Sequence, residues 1–369
     1  MPNWGKANPY QNLLADALGG QGYTVTLCDY PKARLPLIRL LMQHPDVGIL
    51  HLHWINPWIK SHFWSTNPLK RLAKLLLLVA DLRLCRLLGV RTVWTVHNRV
   101  SHESEDSAWE LRLRRQIARH VEVCLVHSRS AVSVLEQSYG LPLAAKTRVV
   151  PHASYVGQYP PAKPEAVTLV RHELGLEDSN FVYLFIGAIR RYKGIDALIE
   201  AFGALSAPDA RLVIVGSVLD PQMGDWLRDK AAADTRIILR PRYLADEALP
   251  VYLELASVVV LPFAQTLTSG SALLAMSFGK PLILPETARV YDFPGEQGAL
   301  YFAPGALTEA MEAAQSADLA AMADFNRREA EARTWPQMGA LTAAAYEQQE
   351  GTRRDKAQLE SRKPQQGRI

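Results

Sequence analysis

The stretch that decides the fold is FIGAIRRYKGIDALIEAF, residues Phe185–Phe202. It begins inside an apolar run that predicts a buried strand, and this run ends at Gly187. A basic turn follows, and apolar residues then recur at helical spacing. Such a turn before a helix can hold an anion, because the helix start also attracts negative charge. The plainer interpretation is that Arg190, Arg191 and Lys193 are solvated loop charges.

A second segment of the same kind lies further along the chain. Val258–Pro262 predicts another buried strand, and Ser269, Gly270 and Ser271 then open a helix. Small hydroxyl residues at a helix start leave backbone N–H groups directed outward. Strands and helices alternate through residues 181–302, which predicts a parallel sheet. Both segments follow the end of a strand and are suited to bind an anion. Together they predict a diphosphate site in the crevice of a doubly wound sheet.

These segments resemble the nucleotide-sugar domain of GT-B-fold glycosyltransferases, in particular the large group 1, family 4-like class. In that class a strand ends in glycine, a basic residue and Lys-Gly precede a helix, and a Gly-x-Pro-Val-Ile motif follows later. The matching residues here are Gly187, Lys193-Gly194 and Gly279–Ile283. The resemblance covers most of residues 181–302 and, more weakly, the N-terminal half. It implies an α/β chain in which two Rossmann-like, doubly wound domains face a cleft.

Two departures from the family pattern bear on the mechanism. The arginine that directly follows the first glycine is replaced by Ala188, so Arg190 or Arg191 would supply its charge. The two glutamates that hold sugar and ribose hydroxyls in retaining members would fall at Thr266 and Leu274. Neither position is acidic, which favours an inverting mechanism and a resemblance to bacterial exopolysaccharide transferases with a Ser-Gly loop.

The composition fits a globular protein of two domains. The chain has 369 residues, 48% of them hydrophobic, and a net charge of +4. Residues 350–369 contain six Lys or Arg and three Asp or Glu, so this tail carries +3 and is expected to be disordered. The nearly neutral remainder argues against a nucleic-acid partner. The scattered cysteines Cys28, Cys85 and Cys124 predict buried thiols in a reducing cytosol.

The predicted domain boundaries follow from the resemblance and from a proline-rich stretch. An acceptor-binding domain over residues 1–152 leads into a linker at 153–168, which contains three prolines. The nucleotide-sugar domain spans residues 169–333. A helix over residues 334–349 is expected to cross back to the first domain.

The chain opens with a loop and a helix of the doubly wound pattern. The loop that contains Asn8 and Tyr10 is interpreted as facing the acceptor, and the alternative is a turn that only starts a helix. Tyr23–Leu27 predicts the next strand. In the resembling proteins an apolar strand also precedes the loop, and residues 1–3 are too few to predict one.

Histidines alternate with leucines in the predicted strand Asp46–His53. The side chains of His51 and His53 therefore share one face of the sheet. Packing is the plainer role for both, because no third residue with the spacing of a metal ligand lies nearby. No metal site is predicted.

The loop after the predicted strand Arg91–Val96 carries the candidate catalytic residues. In the resembling class, a histidine at this point lies near the donor sugar. The resemblance therefore implies that His97 and Asn98 lie at the donor-sugar site. Glu103 lies in the same loop, where a carboxylate could act as general base for an acceptor hydroxyl, with His97 beside it. The alternative is that the acids of this loop cap the next helix.

Residues 60–91 form a basic segment with one acid, Asp81. Aromatic residues lie just before or within it: Trp54, Trp58, Phe63 and Trp64. The apolar run Leu75–Val79 is too short to cross a bilayer. Basic and aromatic residues together suit an anionic bilayer surface. The alternative is a core helix over Leu72–Leu88 with a basic wet face.

These features predict a nucleotide-sugar-dependent hexosyltransferase in the cytoplasm, peripheral at the inner face of the plasma membrane. The expected acceptor is a lipid-linked glycan that is used in the synthesis of exopolysaccharide or another cell-surface polysaccharide. Glu286 and Arg289 follow a strand and could reach the donor sugar or the second phosphate. No cofactor is expected, since protein cations and a helix start can balance the leaving diphosphate. The alternatives are a nucleotide-sugar epimerase of the same fold and an inactive, membrane-associated glycan-binding protein.

Overall fold

The computed structural model describes residues 1–3, 8–101, 104, 106–218, 220–263 and 267–347. The chain divides into two compact units. The first is Met1–Pro151 together with the chain from Trp335, and the second is His152–Thr334. The stretch predicted as a linker, residues 153–168, thus falls within the second unit. No helix in the described ranges combines the length and apolarity that crossing a membrane requires.

The described part of the first unit holds one sheet of four parallel strands in sequential order. The strands are β1 Ile49–Leu52, β2 Arg91–Thr95, β3 Val123–Val126 and β4 Thr147–Val149. The helices are α1 Tyr10–Gly19, α2 Pro36–Gln43, α3 Asn56–Trp58, α4 Pro68–Leu87, α5 Ser107–His120 and α6 Ser130–Tyr139, with a π-helical turn at Ile59–Phe63 and a 3-10 turn at Ala144–Lys146. A further helix covers residues 335–347.

The described part of the second unit holds six parallel strands. They are β5 Phe181–Ile186, β6 Ala210–Val215, β7 Ile237–Arg240, β8 Val258–Val260, β9 Leu282–Pro285 and β10 Ala299–Phe302. The helices are α7 Pro164–Glu173, α8 Ile195–Ala204, α9 Pro221–Ala233, α10 Leu249–Leu255, α11 Gly270–Ser277, α12 Leu307–Ser316 and α13 Leu319–Glu331, with 3-10 turns at Arg191–Lys193 and Glu286–Tyr291.

The second sheet is doubly wound. Its spatial order is β10-β9-β8-β5-β6-β7, so the direction of winding reverses between β5 and β8. Ligands of such sheets bind at this switch point, outside the carboxyl ends of the two strands. The predicted α/β class with two parallel-sheet domains is confirmed.

The predicted strand Tyr23–Leu27 is wrong. Pro2 and Cys28 form an isolated parallel bridge instead. The bridge rests on hydrogen bonds from the Asn3 N–H to the Cys28 carbonyl at 2.7 Å and from the Cys28 N–H to the Met1 carbonyl at 3.1 Å. Within the described residues, the pairing of this stretch is limited to the one bridge at Cys28.

A buried carboxylate fixes α4 against α2. Asp81 is fully buried, and its two oxygens accept the backbone N–H groups of Leu37 and Ile38, both at 2.9 Å. These donors lie in the first turn of α2, where no carbonyl of the helix can accept them. Burial raises the pKa of the Asp81 carboxyl to about 6, against the opposite effect of the two hydrogen bonds. One acid therefore caps α2 and anchors α4.

We expect Asp81→Ala to lower the free energy of unfolding by about 2–6 kcal/mol, since two buried N–H groups lose their acceptor at about 1–3 kcal/mol each. Urea denaturation at neutral pH measures this change. Asp81→Asn keeps one acceptor and should lose less. Because the pKa is raised in the folded state, the wild type should also lose stability as the pH rises through about 6, and the asparagine variant should not. Equal stability of all three proteins would contradict the capping role.

Candidate active site

Two loops meet at the switch point of the second sheet. Gly194, at the start of α8, has a φ of +70°, and a Cβ on it would lie only 2.7 Å from the carbonyl oxygen of Pro262. Glycine is required here, both for the left-handed backbone and for the close approach. The contact brings the basic turn after β5 beside the loop that follows β8.

Lys193 and Ser271 lie on two sides of Gly187. A Cβ built on Gly187 would be 3.3 Å from Lys193 Nζ and 3.6 Å from Ser271 Oγ. The glycine, with a φ of +122°, therefore leaves a small space bounded by an ammonium group and a hydroxyl. Ser269 caps the start of α11 by accepting the Ala272 N–H at 3.1 Å. The chemistry of this cradle, a cation beside a helix N-terminus, suits a phosphate group.

The charge of Lys193 is not balanced by a carboxylate in the part of the chain that the structure describes. The side chain is half-buried, and its Nζ lies 5.9 Å from the centroid of the Phe185 ring. Removal from water and the neighbouring Arg190 guanidinium lower the pKa of Lys193 to about 8. A bound diphosphate would supply the missing negative charge and raise this pKa again.

Other predicted donor-binding residues have local partners. Arg191 pairs with Asp220 at 3.6 Å, at an exposed position. Arg289 pairs with Glu296. Glu286 is exposed at the start of the 3-10 turn after β9. The structure thus brings Lys193 and the start of α11 together, whereas Arg191 and Arg289 balance acids of neighbouring loops.

Four buried histidines lie at the carboxyl ends of β1, β2 and β3. His51 lies in β1, and His53, His97 and His127 closely follow β1, β2 and β3. Equivalent positions on parallel neighbours are about 4.8 Å apart, so the rings form a row. Ring centroids are 4.1 Å apart for His51 and His53, 5.5 Å for His53 and His97, and 5.3 Å for His97 and His127.

Tyr10 packs edge-on against this histidine row. Its ring centroid is 5.6 Å from that of His53, 5.0 Å from His97 and 5.8 Å from His127, and its hydroxyl is 3.3 Å from His127 Nε2. Tyr10 is the first residue of α1 and is 1% exposed, and Asn8 Oδ1 accepts its N–H at 3.0 Å. Tyr10 therefore belongs to a buried helix start, and the interpretation of its loop as facing the acceptor stays a prediction.

Burial disfavours the charged form of three histidines in this row. Burial lowers the pKa of His127 to about 4 and the pKa values of His51 and His53 well below the usual range. His51 is held at both nitrogens, by the hydroxyls of Tyr346 and Thr95, each at 2.7 Å. Within the described ranges, no group of three or more His, Cys, Asp or Glu is arranged to hold a metal ion.

The sequence alone indicates a packing role for His53 and leaves His127 without a predicted role. The pattern that could have revealed the row is a histidine after each of three successive buried strands, at His53, His97 and His127. Parallel strands place such residues at one edge of the sheet, whatever the length of the connections between them.

A buried ion pair holds the loop after β2. Glu110 and Arg114 lie one turn apart on α5 and pair at 2.7 Å. Arg114 donates to the Asn98 carbonyl at 2.9 Å, and Glu110 accepts the Ser101 N–H at 2.7 Å. The backbone that carries His97 and the half-buried Asn98 is therefore fixed at the end of β2.

The predicted general base, Glu103, lies outside the described residues, as does Glu105. Asp106 caps α5, because it accepts the Trp109 N–H at 2.9 Å and pairs with Arg71 at 2.6 Å. The Trp109 N–H and the Arg71 guanidinium lower the pKa of Asp106. For Asp106, helix capping is therefore the role that the structure shows.

Two family models match the chain. The model described as Glycosyl transferases group 1 matches residues 180–317, and the model described as Glycosyltransferase Family 4 matches residues 10–153. The chain belongs to the group 1 glycosyltransferases. The family predicted from the sequence is thereby confirmed, and so is its class, a hexosyltransferase.

Two known glycosyltransferases are similar to this chain, over different fractions of their length. A GDP-mannose:glycolipid 4-beta-D-mannosyltransferase of Xanthomonas campestris pv. campestris is 27% identical over 347 residues, which cover 92% of this chain and 88% of that protein. A D-inositol 3-phosphate glycosyltransferase of Corynebacterium urealyticum is 26% identical over 243 residues, which cover 61% of this chain and 54% of that protein.

Solved structures share the fold of this glycosyltransferase. The complex of Anabaena HepE with UDP has a TM-score of 0.71 at 16% identity, covering 94% of this chain and 98% of that chain. Sucrose-phosphate synthase from Thermosynechococcus elongatus has a TM-score of 0.72 at 18% identity, covering 94% of each chain. The fold is GT-B.

We expect Lys193→Ala to weaken the binding of GDP and UDP by about 1.5–3 kcal/mol, the range for a hydrogen bond to a charged group. Isothermal titration calorimetry of the purified protein measures the change. The matched control is Lys230→Ala, which removes an exposed lysine of α9 and should bind like the wild type. Equal affinity of the Lys193 variant and the control would contradict the diphosphate site.

The pKa of Lys193 supplies a second arm of the same experiment. Below pH 8 the ammonium form predominates, so raising the pH from 7 to 9 should lower the affinity for the diphosphate about tenfold. Lys193→Arg stays charged over this range and should lose much less affinity. A wild type with the same pH dependence as the arginine variant would show that another group sets the pH dependence.

Proposed function

We propose that this glycosyltransferase transfers a hexose from a nucleoside diphosphate sugar to a lipid-linked glycan, without a metal ion. The observation that carries the proposal is the placement of Lys193 and Ser271 around Gly187, at the start of α11. Negative charge develops on the departing diphosphate during transfer. A fixed cation and the N-terminus of a helix can stabilise that charge without rearranging.

GDP-mannose is the donor that we propose. The name of the Xanthomonas relative specifies GDP-mannose, and that relative aligns with 92% of this chain. UDP-glucose is the second candidate, because it is bound in a solved structure of Anabaena HepE. The proposed acceptor is a glycolipid, as in the name of the mannosyltransferase, used in the synthesis of exopolysaccharide or another cell-surface polysaccharide.

We propose that transfer inverts the anomeric carbon. A β-mannoside formed from α-linked GDP-mannose requires inversion, and Thr266 and Leu274 stand where retaining members have glutamates. Inversion needs a base for the acceptor hydroxyl. Glu103 is the proposed base, since the neighbouring Asp106 is committed to capping α5 and to Arg71.

Transfer assays with a panel of nucleotide sugars test this function. Purified protein is incubated with each donor and a lipid-linked oligosaccharide extract, and the anomer of the product is read by NMR. We expect a β-linked product from GDP-mannose. An α-linked product would rule out inversion. Conversion of the nucleotide sugar without any acceptor would identify an epimerase. Nucleotide binding with no reaction across the panel would support an inactive glycan-binding protein.

α4 presents leucines on the side opposite to its buried stripe. The buried positions are Leu78, Asp81, Leu82 and Cys85. The exposed positions, here named the leucine ridge, are 58–82% exposed and comprise Leu69, Leu72, Leu76 and Leu87. Their spacing of three, four and eleven residues places them along one face of a helix. A core helix would bury only one face, so the ridge needs a separate explanation.

Basic side chains accompany the ridge. Lys70 and Arg83 are exposed, whereas Asp81, the one acid in the sequence of α4, is buried on the opposite face. Arg71 and Lys74 are less available than the sequence indicated, because Arg71 pairs with Asp106 and Lys74 donates to the Trp64 carbonyl. We propose that the ridge docks on an anionic membrane surface, where leucines enter the interface and lysine and arginine meet headgroups.

We expect the combined change of Leu69, Leu72 and Leu76 to serine to lower binding to phosphatidylglycerol vesicles at least about hundredfold, since full burial of each leucine contributes about 1.5–3 kcal/mol. Vesicle sedimentation measures the bound fraction. Leu169→Ser removes a leucine of α7 with 58% exposure and should bind normally. Unchanged binding by the triple variant would show that α4 is only a core helix. Concentration-dependent self-association abolished by the same variant would instead assign the ridge to a second copy.

A further inference from the structure

A small cavity lies between the π-helical turn Ile59–Phe63 and the start of α5. Its volume is about 40 Å³, which exceeds the about 10–15 Å³ that one water molecule needs. All of its lining residues belong to the first unit. π-Helical turns are rare, and they often lie at functional sites. The polar and aromatic residues that line the cavity are Asn56, Lys60, Trp64, Ser101, Ser104 and Glu110.

Glu110 brings a buried carboxylate to this cavity. Only 3% of the residue is exposed. Its Oε1 atom accepts both the Arg114 Nε–H and the Ser101 N–H, each at 2.7 Å. Within the described ranges Oε2 has no hydrogen bond, so it is the atom that can accept one from a bound molecule. Because Arg114 already balances the charge of Glu110, the carboxylate does not need a cationic ligand.

Ser104 brings a group that complements the carboxylate. Its Oγ atom is buried and has no hydrogen-bond partner in the part of the chain that the structure describes. The serine hydroxyl can donate a hydrogen bond, whereas Oε2 of the ion-paired Glu110 can only accept one. A hydroxyl group of a ligand does both, because it donates to the carboxylate and accepts from the serine. The two side chains together therefore favour a neutral ligand with hydroxyl groups.

Trp64 adds an aromatic residue to the lining of the cavity. The sequence places it in a group of aromatic residues that suit a bilayer surface. In the structure, however, Trp58 and Phe63 are fully buried, and Trp54 stacks on His97. Trp64 is half-buried and lines the cavity. A sugar ring has hydroxyl groups for Glu110 and Ser104 and an apolar C–H face for the tryptophan.

The surroundings of the cavity indicate the acceptor rather than the nucleotide. Asn56 lines both this cavity and a second small space, which is also lined by His53, His97 and Asn98. Asn56 Oδ1 accepts a hydrogen bond from Arg114, the residue that holds the loop after β2. The diphosphate cradle, by contrast, consists of residues of the second unit. A sugar in the cavity would therefore lie next to the predicted catalytic loop.

We propose that this cavity binds the acceptor glycan through the hydroxymethyl group of a neutral hexose. The hydroxyl of that group bonds to Glu110 Oε2 and Ser104 Oγ. The sugar ring is too large for a space of about 40 Å³, so it lies at the mouth of the cavity against Trp64. The proposal rests on the proposed function in one respect, that the chain transfers a sugar to a glycan.

Ser104→Val tests the site, because it replaces the hydroxyl with methyl groups and narrows the cavity. Saturation-transfer NMR titrations measure the affinity for methyl β-D-glucoside and for methyl β-D-xyloside, which lacks the hydroxymethyl group. We expect the wild type to bind the glucoside about tenfold more tightly than the xyloside, the upper range for a hydrogen bond. Ser104→Val should bind both sugars equally weakly. The matched control is Ser133→Val, at an exposed position of α6, which should bind like the wild type.

Urea denaturation checks that the Ser104 variant folds. It should be at least as stable as the wild type, since the hydroxyl that it removes makes no hydrogen bond in the described residues. Trp64→Leu should weaken the binding of both sugars. Wild-type protein that binds neither sugar, or prefers neither, would overturn the proposal, because the cavity would then hold ordered water only. An unchanged affinity of Ser104→Val for the glucoside would overturn it too.

Transfer kinetics supply a second measurement. Ser104→Val and Trp64→Leu should each raise the KM for the acceptor about threefold to tenfold and leave the KM for the nucleotide sugar unchanged. A merely structural role would change both KM values or neither, which would contradict the site even if transfer is observed. Sugar binding needs no donor, so the NMR result supports or overturns the site whether or not the proposed transfer occurs.

Discussion

The approach of Gly194 to the carbonyl oxygen of Pro262 is the constraint on which the second unit depends. A Cβ on Gly194 would lie only 2.7 Å from that oxygen. The start of α8 therefore lies very close to the end of β8. A larger residue would push the two segments apart and separate Lys193 from Ser271. A packing requirement between two backbones thus determines where the charge of the site lies.

The elements of the second unit were predictable because its strands are buried on both faces. Such strands must be apolar at nearly every position, which gives the sequence an unmistakable run, and β5 has the predicted bounds, Phe181–Ile186. Tyr23–Leu27 has suitable residues too, yet it forms no strand. Whether a segment joins a sheet depends on its pairing with chain elsewhere, which the composition of the segment does not contain.

The sequence predicts which kind of site is present, but it predicts only some of the residues that form it. Lys193 and Ser271 were expected, because a basic turn and a hydroxyl-rich helix start each have a local pattern. That Arg191 would pair with Asp220 could not be read from either segment, since the two residues come from different loops. The histidine row likewise depends on the register of three strands, and register is a property of the assembled sheet.

The lowered pKa of Lys193 also makes it a nucleophile. With a pKa of about 8, about a tenth of the side chains are neutral amines at pH 7, far more than for an ordinary lysine. A neutral amine in an anion-binding cradle is well placed to form an imine with a phosphorylated aldehyde, or an amide with an acylating reagent that carries a negative charge. The feature that suits this position to a diphosphate therefore makes it the natural point of attachment for covalent probes and inhibitors.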